Sequence, residues 1–422
     1  NTTNGVTTNE DGNFSIHKPA RSHMLVVSFI GFENDTIHVD KGNQQLDIVL
    51  REGVELNEVN VVTRKLGTMK LRTSVMNEDM ISSAELTRAA CCNLGESFVT
   101  NPSVDVSYSD AATGAKQIKL LGLSGTYVQM MTENIPNFRG AAAPYGLGYV
   151  PGPWMQSIQV SKGSSSVKNG YESITGQINV EFKKPQLPEA DWVSANLFAS
   201  STNRYEANAD ATVKLSKRWS TSLLAHYENE TKSHDSNDDG FVDIPRVEQY
   251  NVWNRWAYMG DHYVFQAGIK ALHETRNSGQ IAHGNTPSHD LYEIGIKTNR
   301  YEAFTKNAYI FDKEKNTNLA LILQGTLHNQ DANYGRKLYD VDQSDFYASL
   351  LFETELSKQH SLSAGLSFNY DGYDQNYRLT NQAEEGLTKK FVKESVPGAY
   401  VQYTFNLNDQ LMLMGGIRGD YS

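Results

Sequence analysis

The chain has 422 residues, of which 39% are hydrophobic and 21% are charged, and its formal net charge is −11. That length suggests two or three domains, and the negative charge argues against a general nucleic-acid-binding protein. No run of about 18 apolar residues occurs, so the sequence predicts no transmembrane helix, and lipid would accept such a chain only as a closed β-barrel.

Residues 1–51 predict a small β-domain whose strands are flanked by turn residues. Strands are predicted near Phe14 and at 24–29, 36–39 and 46–50. The phrases Asn-Glu-Asp-Gly-Asn-Phe-Ser and Val-Ser-Phe-Ile-Gly-Phe-Glu resemble the carboxypeptidase-regulatory-like domain, a non-catalytic β-sandwich. The opening strand of that domain is not found and no signal peptide precedes it, so we expect Asn1 to be a processed or truncated start.

Residues 52–75 predict a linker, within which the segment 54–63 is β-prone and is followed by basic residues. The residue types alone leave two interpretations open. One is an ordinary interdomain strand. The other is an extended segment that adds to the sheet of a partner protein through main-chain hydrogen bonds, a binding mode that places few demands on sequence.

A domain is predicted over 76–185, and it begins with a short helix at 82–92 that Ser82 or Ser83 would cap. The helix ends on Cys91 and Cys92, the only two cysteines. Because adjacent cysteines cannot close a conventional disulfide loop, we expect two buried structural thiols, in preference to a strained vicinal disulfide or a metal site. Further strands are predicted at 104–108 and 117–121.

The stretch 122–185 carries the most specific pattern in the chain. Its predicted strands are 126–130, 157–162 and 177–183. Between them lie loops too long to be simple connectors, and the order of phrases is Thr-Glu-Asn-Ile-Pro, Lys-Gly-Ser-Ser-Ser, Gly-Tyr-Glu, Ile-Thr-Gly-Gln-Ile-Asn-Val and Lys-Lys-Pro. This order resembles the plug domain of TonB-dependent outer-membrane transporters. It departs from the family pattern at Glu133-Asn134, where Asp-Gly is usual, and at Ser164, where Pro is usual.

The resemblance implies a transporter that is energised by the periplasmic protein TonB and its inner-membrane complex. The segment 54–63 lies where this family carries its TonB box, which favours the partner-binding interpretation of that segment. The residues expected to contact TonB are Val59, Asn60, Val61, Val62 and Thr63.

From 186 to 422 the chain reads as one strand after another with period two, as in apolar-out, polar-in barrel strands. The predicted strands are 192–200, 204–215, 218–229, 248–259, 262–272, 292–311, 317–328, 345–356, 360–370, 394–405 and 411–421. Long links are predicted at 230–247, 273–291, 329–344 and 371–393, on the side opposite to most of the short ones. Aromatic residues suited to interfacial girdles are Trp192, Trp219, Trp253, Trp256, Tyr263, Tyr347 and Tyr403.

Plugged barrels of this kind close with about 22 strands, so eleven strands predict half a barrel and a chain that is a fragment. The predicted fold class is therefore an all-β membrane barrel, present as its first half, with a small α+β plug and an N-terminal β-sandwich. A soluble β-rich enzyme is the competing interpretation, but no catalytic triad, paired carboxylate or phosphate loop occurs in a usable context, and we expect no enzyme activity.

A calcium-loop spacing occurs in the first long link. Asp235, Asn237, Asp239 and Asp243 occupy positions one, three, five and nine, and Gly240 occupies position six. Position twelve is Arg246, whereas an EF-hand has a bidentate glutamate there. Two interpretations stay open here: a calcium site completed by another loop, and a solvated acidic loop tip. No other cofactor is expected.

The loop 137–155 is the predicted floor of a cargo pocket, because aromatic rings with one arginine suit a large, flat or amphipathic ligand. The residues expected to bind cargo are Phe138, Arg139, Tyr145 and Tyr149. For Trp154 and Met155 we favour packing against the barrel wall. His273, His283 and His289 match no strong ligand motif and are interpreted as surface histidines.

By resemblance, the protein is expected in the Gram-negative outer membrane with its N-terminal domain in the periplasm. The cargo would be a scarce metal chelate, such as haem, a siderophore or cobalamin. The expected partners are TonB, this small ligand, outer-membrane lipid and a surface lipoprotein. The alternatives are a glycan or peptide importer of the same architecture and a non-transporting surface receptor or adhesin.

Overall fold

The computed structural model describes residues 68–70, 78–89, 92–99, 101, 104–163, 166–185, 192–281, 291–379, 388–408 and 411–422, and, nearer the start, 6–9, 13–16, 24–27, 35–39, 46 and 48. The chain divides into two compact units, Asn1–Arg64 and Lys65–Ser422, which are described separately. No helix among the described residues is long and apolar enough to cross a membrane.

In the first unit, strands β1 (Met24–Val27) and β2 (Asp35–His38) pair antiparallel, with Leu25 opposite Ile37. They correspond to the strands predicted at 24–29 and 36–39. Residues 13–16 lie outside any strand, so the strand predicted from Phe14 is wrong. Of the strand predicted at 46–50, only Leu46 and Ile48 are described, and neither is in a strand.

The second unit begins with a mixed domain, which we call the plug. Its helix α1 spans Ser83–Arg88, and Ser82 precedes it without a side-chain cap. Glu85 of its first turn accepts a hydrogen bond from Arg88 at 2.8 Å. The strands are β3 (Thr68–Lys70), β4 (Glu78–Ser82), β5 (Val104–Asp110), β6 (Ala115–Leu120), β7 (Leu123–Ser124), β8 (Val128–Thr132), β9 (Ile135–Pro136), β10 (Met155–Lys162) and β11 (Gly176–Phe182). Short 3₁₀ helices span Leu94–Glu96, Gly125–Tyr127, Gly140–Ala142, Gly146–Tyr149, Gly152–Trp154 and Val167–Asn169.

The plug strands form one six-stranded sheet in the order β3-β4-β10-β11-β8-β9 and one three-stranded sheet in the order β5-β6-β7. β11 is the central strand, and all seven of its residues are buried. It pairs antiparallel with β10 and parallel with β8. A strand that is covered on both faces anchors the plug core, which includes Ile158, Ile178 and Val180.

The rest of the second unit is one antiparallel sheet of eleven strands in chain order, β12 to β22, which we call the wall. Its strands are β12 (Trp192–Ala199), β13 (Arg204–Lys214), β14 (Trp219–Glu230), β15 (Arg246–Met259), β16 (Tyr263–Gly279), β17 (Glu293–Asp312), β18 (Thr317–Tyr334), β19 (Lys337–Ser357), β20 (His360–Leu379), β21 (Thr388–Asn408) and β22 (Leu411–Asp420). All eleven predicted strands are present. β12 and β22 do not pair with each other, so the sheet is open, as in a partial barrel.

The wall is polar on the face that meets the plug and apolar on the other. On β16, Lys270 is 4% exposed whereas its neighbour Ile269 is 70% exposed. On β20, Ser367 is 7% exposed and Leu366 is 58% exposed. Such an arrangement is unfavourable in water and suits a barrel strand between lipid and a polar interior. The predicted alternation is confirmed.

The links predicted to be long are shorter than predicted, because several strands continue into them. The link predicted at 329–344 is wrong: β18 and β19 extend through it and join by the two residues Gly335 and Arg336. The predicted girdle also needs correction, since Trp253 and Tyr347 face the plug and are buried, whereas Trp219, Trp256, Tyr263 and Tyr403 are exposed on the apolar face. Nothing is described of the Trp192 side chain.

Candidate functional site

The turn between β8 and β9 places a carboxylate at the contact of plug and wall. Thr132 pairs with Ile135, so Glu133 and Asn134 form a two-residue hairpin turn, with φ angles of 51° and 62°. Positive φ at both positions is the geometry that Asn-Gly or Asp-Gly favours, and it strains a residue such as glutamate. The backbone N–H of Asn134 donates to Asn179 Oδ1 at 2.8 Å, which helps to hold this turn.

Glu133 enters a buried pocket of positive charge on the wall. Its Oε1 lies 2.6 Å from Arg255 Nη2, and its Oε2 lies 3.7 Å from Lys306 Nζ. The Arg255 guanidinium also lies over the Trp253 ring, 4.5 Å from its centroid. Burial alone would raise the pKa of Glu133, but Arg255, Lys306 and Lys184 outweigh it and hold the pKa at about 2. The glutamate is therefore charged at neutral pH.

Arg139 joins the plug apex to β20 through a second ion pair. Its Nη2 lies 2.6 Å from Asp371 Oδ2, and its Nε lies 3.0 Å from Glu172 of the plug. Burial would lower the pKa of Arg139, but Glu172 and Asp371 raise it overall, so the guanidinium is charged and already paired. Burial and the charge of Asp371 raise the pKa of Glu172, although Arg139 opposes them.

The backbone of the apex is held by polar side chains of the wall. Asn251 donates to the Tyr149 carbonyl at 3.0 Å, and Gln343 accepts from the Ala141 amide at 2.9 Å. At Gly140, where φ is 57°, a Cβ would collide with the Tyr373 ring, so only glycine allows this approach. These contacts fix the apex against β15, β19 and β20.

A cavity of about 400 Å³ lies between the apex and the wall. Four tyrosines line it, together with two glutamines: Tyr145, Tyr334, Tyr339, Tyr373, Gln330 and Gln375. Tyr339 donates to Gln375 at 2.9 Å, and Gln343 donates to the Tyr373 hydroxyl at 3.3 Å. Aromatic walls with a few oriented polar groups are typical of small-ligand sites.

Of the four residues predicted to bind cargo, Tyr145 alone lines this cavity. Arg139 lies beside it in the ion pair described above. Phe138 and Tyr149 are buried, with exposed fractions of 5% and 0%, and Tyr149 packs 6.4 Å from the His328 ring. Burial and the charge of Glu274 raise the pKa of Tyr149. The cargo role of these four residues stays a prediction.

Sequence reasoning missed the wall side of this cavity. Tyr334, Tyr339, Tyr373 and Gln375 fall in segments predicted as long links, whereas the structure places them on the inward faces of β18, β19 and β20. The alternation of apolar and polar residues fades here, since outward positions such as Asp331, Asp340 and Asp342 are polar too, so the sequence offered no clear signal. The packing favoured for Trp154 is confirmed, since it is fully buried with its ring 6.3 Å from Trp253 and 6.5 Å from His226.

A second group of charges joins plug and wall near the N-terminal end of the wall. Arg204 contacts Glu96 of the plug at 2.9 Å, and on the wall it contacts Glu206 at 2.7 Å and Glu228 at 3.0 Å. Cys92 is buried beside this group, and burial, with the charge of Glu206, raises the pKa of its thiol well above the ordinary value. The thiol is therefore protonated and unreactive. Cys91 lies outside the described residues.

The predicted calcium ligands form a loop that bonds to itself. Asp235 accepts the amides of Asp239 at 3.1 Å and Gly240 at 2.9 Å, and Asp243 accepts the Ser236 amide at 2.7 Å. Asn237 donates to Asp239 at 3.0 Å. Among the described residues, no three acidic, histidine or cysteine side chains converge closely enough to hold a metal ion. The carboxylates of this loop are thus engaged with its own amides, and calcium binding stays a prediction.

Two other predictions fall wholly or partly outside the described residues. The segment predicted to contact TonB, residues 59–63, is outside them, as are His283 and His289. His273 is described and lies on β16, where its Nδ1 is 2.8 Å from Asn299 Oδ1. An amide partner of this kind fits an ordinary polar contact.

We predict that Glu133→Gln will weaken the docking of the plug by about 3–5 kcal/mol, because it leaves Arg255 buried without its counter-charge. Hydrogen–deuterium exchange of β8 and β9 in the detergent-solubilised protein measures this effect. Glu133→Gln combined with Arg255→Met should recover most of the loss. The exposed pair Arg218–Asp261 supplies the control, and Asp261→Asn should leave exchange unchanged. Equal effects of the two single substitutions would contradict a structural role for the buried pair.

The docking of the plug should also depend on acid. The folded pKa of Glu133, about 2, lies below its ordinary value of 4.5. Its stabilisation is therefore complete above pH 4.5 and is lost as the pH falls from 4.5 through 2. Exchange of β8 measured against pH should show a loss in this window that Glu133→Gln lacks. A loss of the same size in both proteins would rule out Glu133 as its source.

Two family models match the chain: the CarboxypepD_reg-like domain over residues 1–61 and the TonB-dependent Receptor Plug Domain over residues 70–177. No curated protein matches it significantly. Among solved structures, FpvAI in complex with pyocin S2 has a TM-score of 0.70 and 14% identity, with 94% of this chain and 58% of that one covered. The alcaligin outer-membrane receptor FauA from Bordetella pertussis has a TM-score of 0.65 and 15% identity, with 84% and 57% covered. The copper transporter OprC has a TM-score of 0.66 and 13% identity, with 81% and 54% covered.

The chain thus spans a little over half the length of these structures. At such low identity the likeness is one of fold, whereas the plug domain is matched by its own family model. The chain thus carries a plug domain of the TonB-dependent receptor type, and that domain contacts the polar face of an open barrel-type sheet.

Proposed function

We propose that the protein is an outer-membrane transporter that imports a scarce metal chelate: haem, a siderophore or cobalamin. TonB-dependent receptors are transporters and not enzymes. The observation that carries the proposal is the tyrosine-lined cavity between the plug apex and the wall, above a plug held by buried ion pairs. The alcaligin receptor and the copper transporter, which share the fold, support a metal or metal-chelate cargo.

In this proposal the plug is both floor and gate. Cargo binds at Tyr145 and the facing wall tyrosines, and TonB pulls on residues 59–63. The pull is transmitted to β4 and β10 of the plug sheet, and the contacts of Glu133 and Arg139 with the wall must then break for the cargo to pass. The protein itself consumes no nucleotide, because the force comes from its partner in the inner membrane.

The apolar outer face of the wall supports an outer-membrane location. The periplasmic location of the N-terminal unit is proposed from the family resemblance alone. A glycan or peptide importer of the same architecture is the second candidate, since the cavity also has amide and hydroxyl groups that such ligands would use. A non-transporting surface receptor is the third, and it needs no coupling to TonB.

We predict that deleting residues 54–63 will abolish uptake of the chelate into cells and leave its binding to the purified full-length protein unchanged. Uptake of radiolabelled iron and quenching of tryptophan fluorescence measure the two properties. A deletion of equal length in the acidic loop, residues 231–240, serves as the control and should leave coupling intact. Uptake that persists without 54–63 would contradict the TonB-coupled mechanism and favour the receptor alternative.

Calcium binding by the loop 235–243 stays a separate proposal, supported by the spacing of its oxygen-bearing side chains. Binding would require Asp235 and Asp243 to release the backbone amides that they now accept. We expect calcium, relative to a chelator, to slow proteolysis within this loop, and Asp239→Asn to remove that protection while Asp261→Asn keeps it. Identical cleavage rates with and without calcium would end the proposal.

A further inference from the structure

The cavity at the plug apex is lined without formal charge. Among the described residues that line it, the polar groups are tyrosine hydroxyls and glutamine amides, and the remainder are apolar side chains and glycine. Gln330 is buried, and Tyr334, Tyr339, Tyr373 and Gln375 are half-buried. A ligand that enters this cavity loses water and meets rings and neutral dipoles, which compensate a full charge poorly.

Two arginines lie near this cavity, and both are already paired. The Arg276 guanidinium, 4.9 Å from the centroid of the Tyr145 ring, lies 3.0 Å from Glu274. Arg139 is held at 2.6 Å by Asp371 and at 3.0 Å by Glu172. Asp345 lies directly opposite Asp371 in the register of β19 and β20. Two carboxylates are therefore paired with one guanidinium, and Asp345 lies next to one of them, so the cavity floor offers no net positive charge to an anion.

The next strand does not supply the missing positive charge. Val392 of β21 lines the cavity, and the residues two places before and after it on the same strand face are Lys390 and Glu394. Both side chains are exposed, and their opposite charges balance. An anionic ligand would thus be desolvated near an excess of carboxylates, whereas a neutral or cationic ligand would not be repelled.

We propose that this cavity selects metal chelates that carry no net negative charge, and that it rejects anionic ones, most strongly the tris-catecholates and less strongly haem. The proposal rests on the transport function proposed above and narrows its cargo. The tyrosine rings would pack on the flat or apolar faces of the chelate, and the amides of Gln330 and Gln375 would hydrogen-bond its carbonyl or hydroxamate oxygens.

The test compares two ferric chelates of opposite character on the purified full-length protein. Ferrichrome is a neutral tris-hydroxamate, and ferric enterobactin is a strongly anionic tris-catecholate. Tryptophan quenching gives the Kd of each. We expect ferrichrome to bind at least about tenfold more tightly. Gln375→Lys should shift the ratio of the two Kd values by about tenfold towards the anion, and Gln375→Glu should shift it the opposite way.

Two controls keep the result interpretable. Gln359→Lys adds the same charge in an exposed link outside the cavity and should leave the ratio unchanged. Ser357→Ala, at the exposed end of β19 outside the cavity, removes a hydroxyl without changing charge, and it should also leave the ratio unchanged. Circular dichroism establishes that each variant retains its strands.

The outcomes separate this proposal from the one on which it rests. Equal or tighter binding of ferric enterobactin to the unmodified protein, or no effect of Gln375→Lys, would overturn the charge selectivity alone. Uptake that survives deletion of residues 54–63 would overturn coupling alone. If neither chelate binds, the metal-chelate cargo and the charge selectivity fall together.

Discussion

The polar inner face of the wall is the constraint on which the rest of the structure depends. An open barrel-type sheet that is apolar on one side carries its charged and amide groups on the other, where burial without partners would be costly. The plug supplies those partners. Arg255 meets Glu133, Asp371 meets Arg139, and Asn251 donates to the carbonyl of Tyr149. At these positions the plug and the wall therefore supply each other's polar partners, and neither face is suited to water-free burial alone.

The same constraint explains an unfavourable local choice. Glutamate and asparagine occupy a hairpin turn that favours a glycine, and both have positive φ. The turn is nevertheless stabilised from outside, since the Glu133 carboxylate pairs with Arg255, and its carbonyl accepts from Lys306 at 2.8 Å. Strain of about 1–3 kcal/mol per residue persists when surrounding contacts over-determine the conformation. Separation of the plug from the wall would release that strain. The strain therefore opposes docking slightly, whereas the ion pair of Glu133 with Arg255 favours it.

Much of the fold could be predicted from the sequence because period-two alternation is a local signal. On β13 the residue types alone predict that Tyr205 faces outward and Glu206 inward, and the structure has both side chains so. Link lengths could not be predicted, because residues 329–344 contain a glycine, an arginine and several acids that read as loop, although cross-strand pairing overrides them. The floor of the site was predicted in part, with Tyr145. Its tyrosine wall was not, because contacts between residues about 200 positions apart leave no local trace.

The two-residue connection at Gly335 and Arg336 has a mechanical consequence. Gly335 takes a φ of 59°, which a tight hairpin requires, and hydrogen bonding between β18 and β19 continues up to it. Tyr334 on β18 and Tyr339 on β19 belong to this continuously hydrogen-bonded hairpin. This side of the cavity is therefore expected to keep its shape when a ligand binds. Any closure over this cavity would therefore have to come from another part of the sheet edge.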